Sequence, residues 1–173
     1  MKDLVILVAD KNMQFALKGA LGRFEALAIR PIEFDFLVHP GRDGGARKSG
    51  SELLRLEHRR FTKALLVLDF EGSGTDLPDG QALEAELDQQ LTAQWGDSAK
   101  AIVIEPELEV WIWGTDNAIQ AAINWPRDER IREWLREEGY AFDDNDKPKR
   151  PKEALEATLR VAALPRSSAV YQE

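Results

Sequence analysis

The segment Ala64-Leu-Leu-Val-Leu68, running straight into Asp69-Phe70-Glu71, constrains this chain more than any other. Five consecutive apolar residues are too few for a helix of their own and too greasy for a wet sheet edge. Residues 64–69 are therefore read as a fully buried strand. Such strands belong to parallel sheets whose faces are covered by helices. In those sheets, ligands and chemistry collect beyond the carboxyl ends of the strands. Here that end carries two carboxylates and the glycine-containing loop Gly72-Ser73-Gly74.

The rest of the chain alternates strand and helix. Residues 4–9 and 101–105 are short apolar strands. Residues 32–38 alternate Ile32, Phe34, Phe36 and Val38 with Glu33, Asp35 and Leu37, a period of two that predicts a strand with one wetter face at a sheet edge. Phe15, Leu17, Leu21 and Phe24 predict a helix over 12–24, and Leu83, Leu87 and Leu91 one over 81–95. Pro106 opens a short helix over 106–113, and further helices are expected over 128–138 and 151–163. Gly41-Arg-Asp-Gly-Gly-Ala-Arg-Lys-Ser-Gly50 reads as a glycine-rich loop, with Ser49 or Ser51 capping a helix that runs to about Arg60. The fold class is α/β: a three-layer sandwich on a mainly parallel four-stranded sheet, with extra C-terminal helices.

At 173 residues, one domain is expected, with the core sheet in 1–113 and a helical part in 114–173. The last residues, Ser167 to Glu173, look like a capped helix that has only begun, which reads as a truncated chain. The absence of cysteine excludes disulfides, zinc-thiolate sites and cysteine catalysis. The six-residue apolar run near the N-terminus is too short for a signal-peptide core or a membrane span, so a cytoplasmic protein without a membrane partner is expected.

A net charge of −8 argues against a general nucleic-acid coat, but the charge is uneven. Seven Lys or Arg stand against three acids between Pro40 and Lys63, and a second basic knot runs from Lys147 to Lys152. The plain reading is a solvated helix face plus a polar loop. The functional reading is a grip on a phosphate backbone by Arg42, Arg47, Lys48, Lys147 and Lys149.

The strand tips carry the acids. Asp10 follows the first strand, Asp69 and Glu71 the third, and Glu105 the fourth, with Glu107 and Glu109 just beyond. If these strands run parallel, the tips share one edge, about 5 Å apart per strand. Clustered carboxylates repel unless a cation is supplied, and magnesium, with manganese as the alternative, suits oxygen ligands. Asp69, Glu71 and Glu105 are the candidate metal ligands; Asp10, Lys11 and Glu109 are the candidate catalytic residues. The competing reading is structural: Glu107 matches a helix dipole, and acids are common where strands turn into loops. The glycine-rich loop fails the P-loop template, having Arg47 where glycine is needed before Lys48, and no GxGxxG is present. His39 and His58 belong to no triad or metal pair, and Trp111 and Trp113 are expected to pack.

Together, Asp69-Phe-Glu71, Pro106-Glu-Leu-Glu109-Val-Trp111 and Lys147-Pro-Lys149 resemble a TOPRIM-like family of unknown function from bacterial phage-defence and restriction-like loci. The resemblance implies a magnesium-dependent phosphoesterase or nuclease, with Asp69 and Glu71 as the metal pair and with nucleic acid and other defence proteins as partners. It departs at the first strand, where Asp10-Lys11 stands in place of the family's Glu-Gly. A non-catalytic interaction subunit with a degenerate site is the second reading. A receiver-like phosphoacceptor is a third, but Ser or Thr is missing from the end of the fourth strand.

Overall fold

Strand β1 (Lys2–Val8) lies between β2 (Phe34–Val38) and β3 (Phe61–Asp69), and β4 (Ala99–Ile104) completes the sheet beyond β3. The order is β2-β1-β3-β4 and every pairing is parallel. The computed structural model describes residues 1–165, 167 and 171. The two central strands are the most apolar, and Val5 to Val8 and Leu66 to Leu68 are closed to solvent. The alternating strand β2 does lie at an edge.

Six α-helices follow among the described residues: α1 (Lys11–Gly22), α2 (Arg42–Glu57), α3 (Gly80–Trp95), α4 (Asp116–Ile123), α5 (Ile131–Glu137) and α6 (Pro151–Val161). Asp10 caps α1 by accepting from the Met13 N–H at 3.0 Å, and Asp79 caps α3 by accepting from Ala82 at 2.8 Å. Leu83, Leu87 and Leu91 form the buried stripe of α3. α1 packs against β1 and β2, α2 against β1 and β3, and α3 against β4 and α2.

The largest departure from the sequence reading is the segment 41–50, which is not a loop. α2 begins at Arg42, seven residues before Ser49. Its glycines serve close approach: a β-carbon at Gly45 would lie 2.4 Å from His39 Cε1, and one at Gly50 would lie 2.8 Å from Leu66 Cδ1. The helix can lie on β1 and β3 only because those side chains are missing. The helix expected over 106–113 shrinks to a 3-10 turn, Leu108–Trp111, after a cis Glu105–Pro106 peptide. Helix α4 went unread, although Thr115 caps it and Ile119 and Ile123 share its buried side. Of the terminal segment expected to begin a helix, only Ser167 and Tyr171 lie within the described residues.

Apolar side chains gather in two clusters. One joins the sheet to α1, α2 and α3, and the other joins Trp113 to α4, α5 and α6. Arg132 clamps the second: it pairs with Asp116 and donates to the carbonyls of Trp113, Gly114 and Asp146. Among the described residues, no helix is long and apolar enough to cross a membrane.

Strand order fixes where chemistry is to be sought. β2 lies on one side of β1, whereas β3 and β4 lie on the other, so the connections change direction between β1 and β3. A crevice at the carboxyl ends of two such strands is the usual ligand position in an open α/β sheet. Asp10 follows one of these strands and Asp69 ends the other.

Candidate acidic site at the carboxyl edge of the sheet

Asp69 is the centre of the crowding. It closes β3 opposite Ile104 of β4, and its Oδ1 is buried with no hydrogen-bond partner. Burial pushes its carboxyl up to about 9, with further upward pressure from Asp43, Glu109, Asp10 and Glu107. At neutral pH this side chain is a protonated acid unless a cation compensates it. The end of β3, the turn after β1, the first turn of α2 and the segment after β4 thus direct negative charge at one point.

Asp43, which the loop reading left unassigned, stands in the first turn of α2 and accepts from the Asp69 backbone N–H at 2.8 Å. Burial raises its carboxyl, and the N–H groups of Asp69 and of Asp43 itself hold that rise in check. Glu107 is raised too, chiefly by burial, while it accepts from the Lys152 N–H at 3.1 Å. Glu109 is only 2% exposed, and the Tyr171 hydroxyl donates to its Oε1 at 2.6 Å. Burial, then this bond to a carboxylate, raises the Tyr171 phenol above its ordinary value.

The other sequence candidates take varied places. Asp10 reaches the cluster electrostatically while capping α1. Glu71 is exposed and presses on Glu107 from the loop after β3, which is pinned by a bond from its N–H to the Pro106 carbonyl. Glu105 faces elsewhere: its Oε2 accepts from the Gly80 N–H at 2.8 Å, so it serves the start of α3. Arg47 donates to the Ser73 and Gly74 carbonyls and holds that loop in shape. Lys48 is exposed on α2. Lys147 lies in a turn tied by Asp143, and Lys149 lines a separate hollow with Tyr140 and Glu153. Lys152 is the member of the late basic knot that comes to the acids, acting on Asp43 and Glu107.

Beside the acids, a cleft of about 530 Å³ opens at the tips of β1 and β2, lined by Asp10, Lys11, Val38, His39, Arg42 and Lys152 among others. His39 Nδ1 accepts from the Gly41 N–H at 3.0 Å and Nε2 faces Ser49 Oγ at 3.0 Å, so the imidazole is committed to shaping the turn into α2. Among the described residues, no three acids or histidines already stand as a metal-ligand set. Family profiles, curated proteins and solved structures gave no significant match to this chain.

Proposed function

We propose that this edge is a magnesium-dependent phosphoesterase centre acting on nucleic acid, in a TOPRIM-like three-layer fold, and that the protein is a component of a bacterial antiviral defence system. The observation that carries the reading is the buried, partnerless Oδ1 of Asp69 amid four further carboxylates. A divalent cation relieves that crowding, and magnesium needs only one or two protein carboxylates, because waters and substrate phosphate supply the rest. Asp69, with its partnerless oxygen, and Glu71, two residues on, are the residues that would hold the ion. When bound, such an ion polarises a phosphoryl oxygen and lowers the pKa of water. The chain's own part is positioning and proton handling. Glu109, oriented by the Tyr171 hydroxyl, takes a proton; Asp10 keeps the start of α1 in register; Lys11 and Arg42 offset phosphate charge.

The second reading, a non-catalytic interaction subunit, draws on two observations. No ligand set of three acids stands ready among the described residues, and the Asp10 carboxylate is already spent on a helix cap. Thermal melts separate the two readings. Wild type should rise in Tm with millimolar magnesium or manganese, and Asp69→Asn should not, because metal binding to the folded state stabilises by mass action. An unchanged wild-type Tm across that range rejects the metal centre and leaves the interaction subunit.

A further inference from the structure

We propose that the cleft at the tips of β1 and β2 is a phosphate subsite, formed by Lys11, Arg42 and Lys152, that holds the phosphate next to the one being cleaved. Its occupant is a nucleic-acid strand carrying at least two phosphates. The inference rests on the phosphoesterase reading for the identity of the scissile group; the anion site itself does not.

Three cations and one carboxylate, Asp10, line the cleft of a chain whose net charge is −8, and Lys152 stands where the cleft meets the acids, acting on Asp43 and Glu107 as well. Among the described residues none of the three is held in an ion pair. They come from three separate places, α1, α2 and α6, so no single solvated helix face explains their meeting. The Arg42 backbone is fixed at the mouth of the cleft. It takes a positive φ of 50°, its N–H is bonded to the His39 carbonyl, and the preceding Gly41 N–H is bonded to His39 Nδ1. The N-cap residue of α2, Gly41, offers no side-chain cap, so the positive end of that helix adds to the same rim.

Position decides which phosphate is held. The acids centre on the tip of β3, and the cleft centres on the tips of β1 and β2. Strands about 5 Å apart put the two one to two spacings from each other, about 5 to 10 Å. That is the scale of one step between neighbouring phosphates of an extended nucleic-acid strand. A single phosphoryl group cannot sit in both places, and Asp10, common to both, would repel one that lodged between them.

The test is calorimetry in chelator, comparing dithymidine with its 5′-phosphorylated form, which adds a second phosphate. Wild type should bind the phosphorylated form about tenfold more tightly. Lys152→Gln and Arg42→Gln should each erode that preference, and together they should abolish it. Lys18→Gln, also an exposed lysine but outside the cleft, should leave it intact. Equal binding of the two probes, or a preference that survives the double substitution, overturns the subsite. Inorganic phosphate binding as tightly as the phosphorylated dinucleotide overturns the nucleic-acid occupant in favour of free phosphate. Asp69→Asn, which removes a candidate metal ligand, should keep the preference. A preference that persists while wild type ignores magnesium therefore rejects the phosphoesterase reading and spares the anion site.

Discussion

The Asp69 backbone N–H donates to Asp43 Oδ1 at 2.8 Å, so the end of β3 is tied to the first turn of α2 by one carboxylate while presenting another. That bond and the burial of Asp43 act in opposite directions on its charge. Asp43→Ala should lose the acceptor and destabilise the protein by about 1 to 2 kcal/mol. Asp43→Asn keeps an acceptor and removes a carboxylate that burial disfavours, so it should match or exceed wild type at neutral pH. Urea midpoints for the two variants decide the matter, and equal losses would show that the charge, not the acceptor, is what counts.

Asp69 makes stability depend on pH in an unusual direction. Its folded value of about 9 lies above that of an unfolded aspartate, near 4, so between these limits the folded state holds a proton that the unfolded state lacks. The contribution is fully present below the unfolded value and is lost as pH rises to the folded one, at up to about 1.4 kcal/mol per pH unit. Asp43 and Glu107 are shifted upward too and add the same sign. Urea melts from about pH 5 to pH 8 should show wild type weakening and Asp69→Asn much flatter, keeping only the share due to Asp43 and Glu107. A wild-type profile as flat as that of the variant would mean that the carboxyl ionises freely in the fold.

Much of this was written in the sequence, and the omissions have physical causes. The five apolar residues before Asp69 leave one reading, and the alternation of Phe34 and Phe36 leaves one for β2. Segment 41–50 misleads because glycine marks turns when it needs conformational freedom, but here Gly45 and Gly50 are needed for thinness, against His39 and Leu66. That requirement is visible only once the helix lies on the sheet. Asp43 was hidden by the same misreading. Strand-tip logic found Asp10 and Asp69, but it could not separate Glu109, which turns inward, from Glu105, which turns to Gly80. Nor could the basic knot reveal that Lys152 meets the acids whereas Lys149 lines another hollow.

Gly45 offers a direct check on the account of α2. Alanine in a helix gains about 1 kcal/mol over glycine in propensity. Here the new methyl would meet an imidazole held at both nitrogens, with no cheap way to yield. Gly45→Ala should therefore destabilise by about 1 to 3 kcal/mol despite its propensity. Adding His39→Ala should recover part of the loss in denaturant melts. A stabilised single variant would show that the helix lies farther from the turn.

Arg132 is a buried cation whose removal strands its partner. Asp116 and the carbonyls of Trp113, Gly114 and Asp146 all use its guanidinium. Arg132→Met should cost about 2 to 4 kcal/mol, because a half-buried carboxylate and three carbonyls lose their partner. Arg132→Lys should rescue little, since an ammonium cannot reproduce the planar fork. Adding Asp116→Asn to the methionine variant should regain part of the loss, and a purely additive double variant in urea melts would deny the coupling.

Tyr171 and Glu109 make the last case, in which a terminal side chain secures an acid at the site. Glu109 is nearly closed to solvent, and the phenol is a donor to it at 2.6 Å. Tyr171→Phe leaves that carboxylate short of one donor and should cost about 1 to 3 kcal/mol. Glu109→Gln in the same background should recover part of this, giving a coupling in a double-mutant cycle of urea melts. Because burial and the neighbouring carboxylate both raise the phenol, the two tyrosines of the chain should separate in an ultraviolet ionisation titration. Tyr171 should ionise only as the protein unfolds in alkali, and the late step should vanish in Tyr171→Phe. If that step survives the substitution, the protected phenol is Tyr140 and the contact with Glu109 is not maintained in solution.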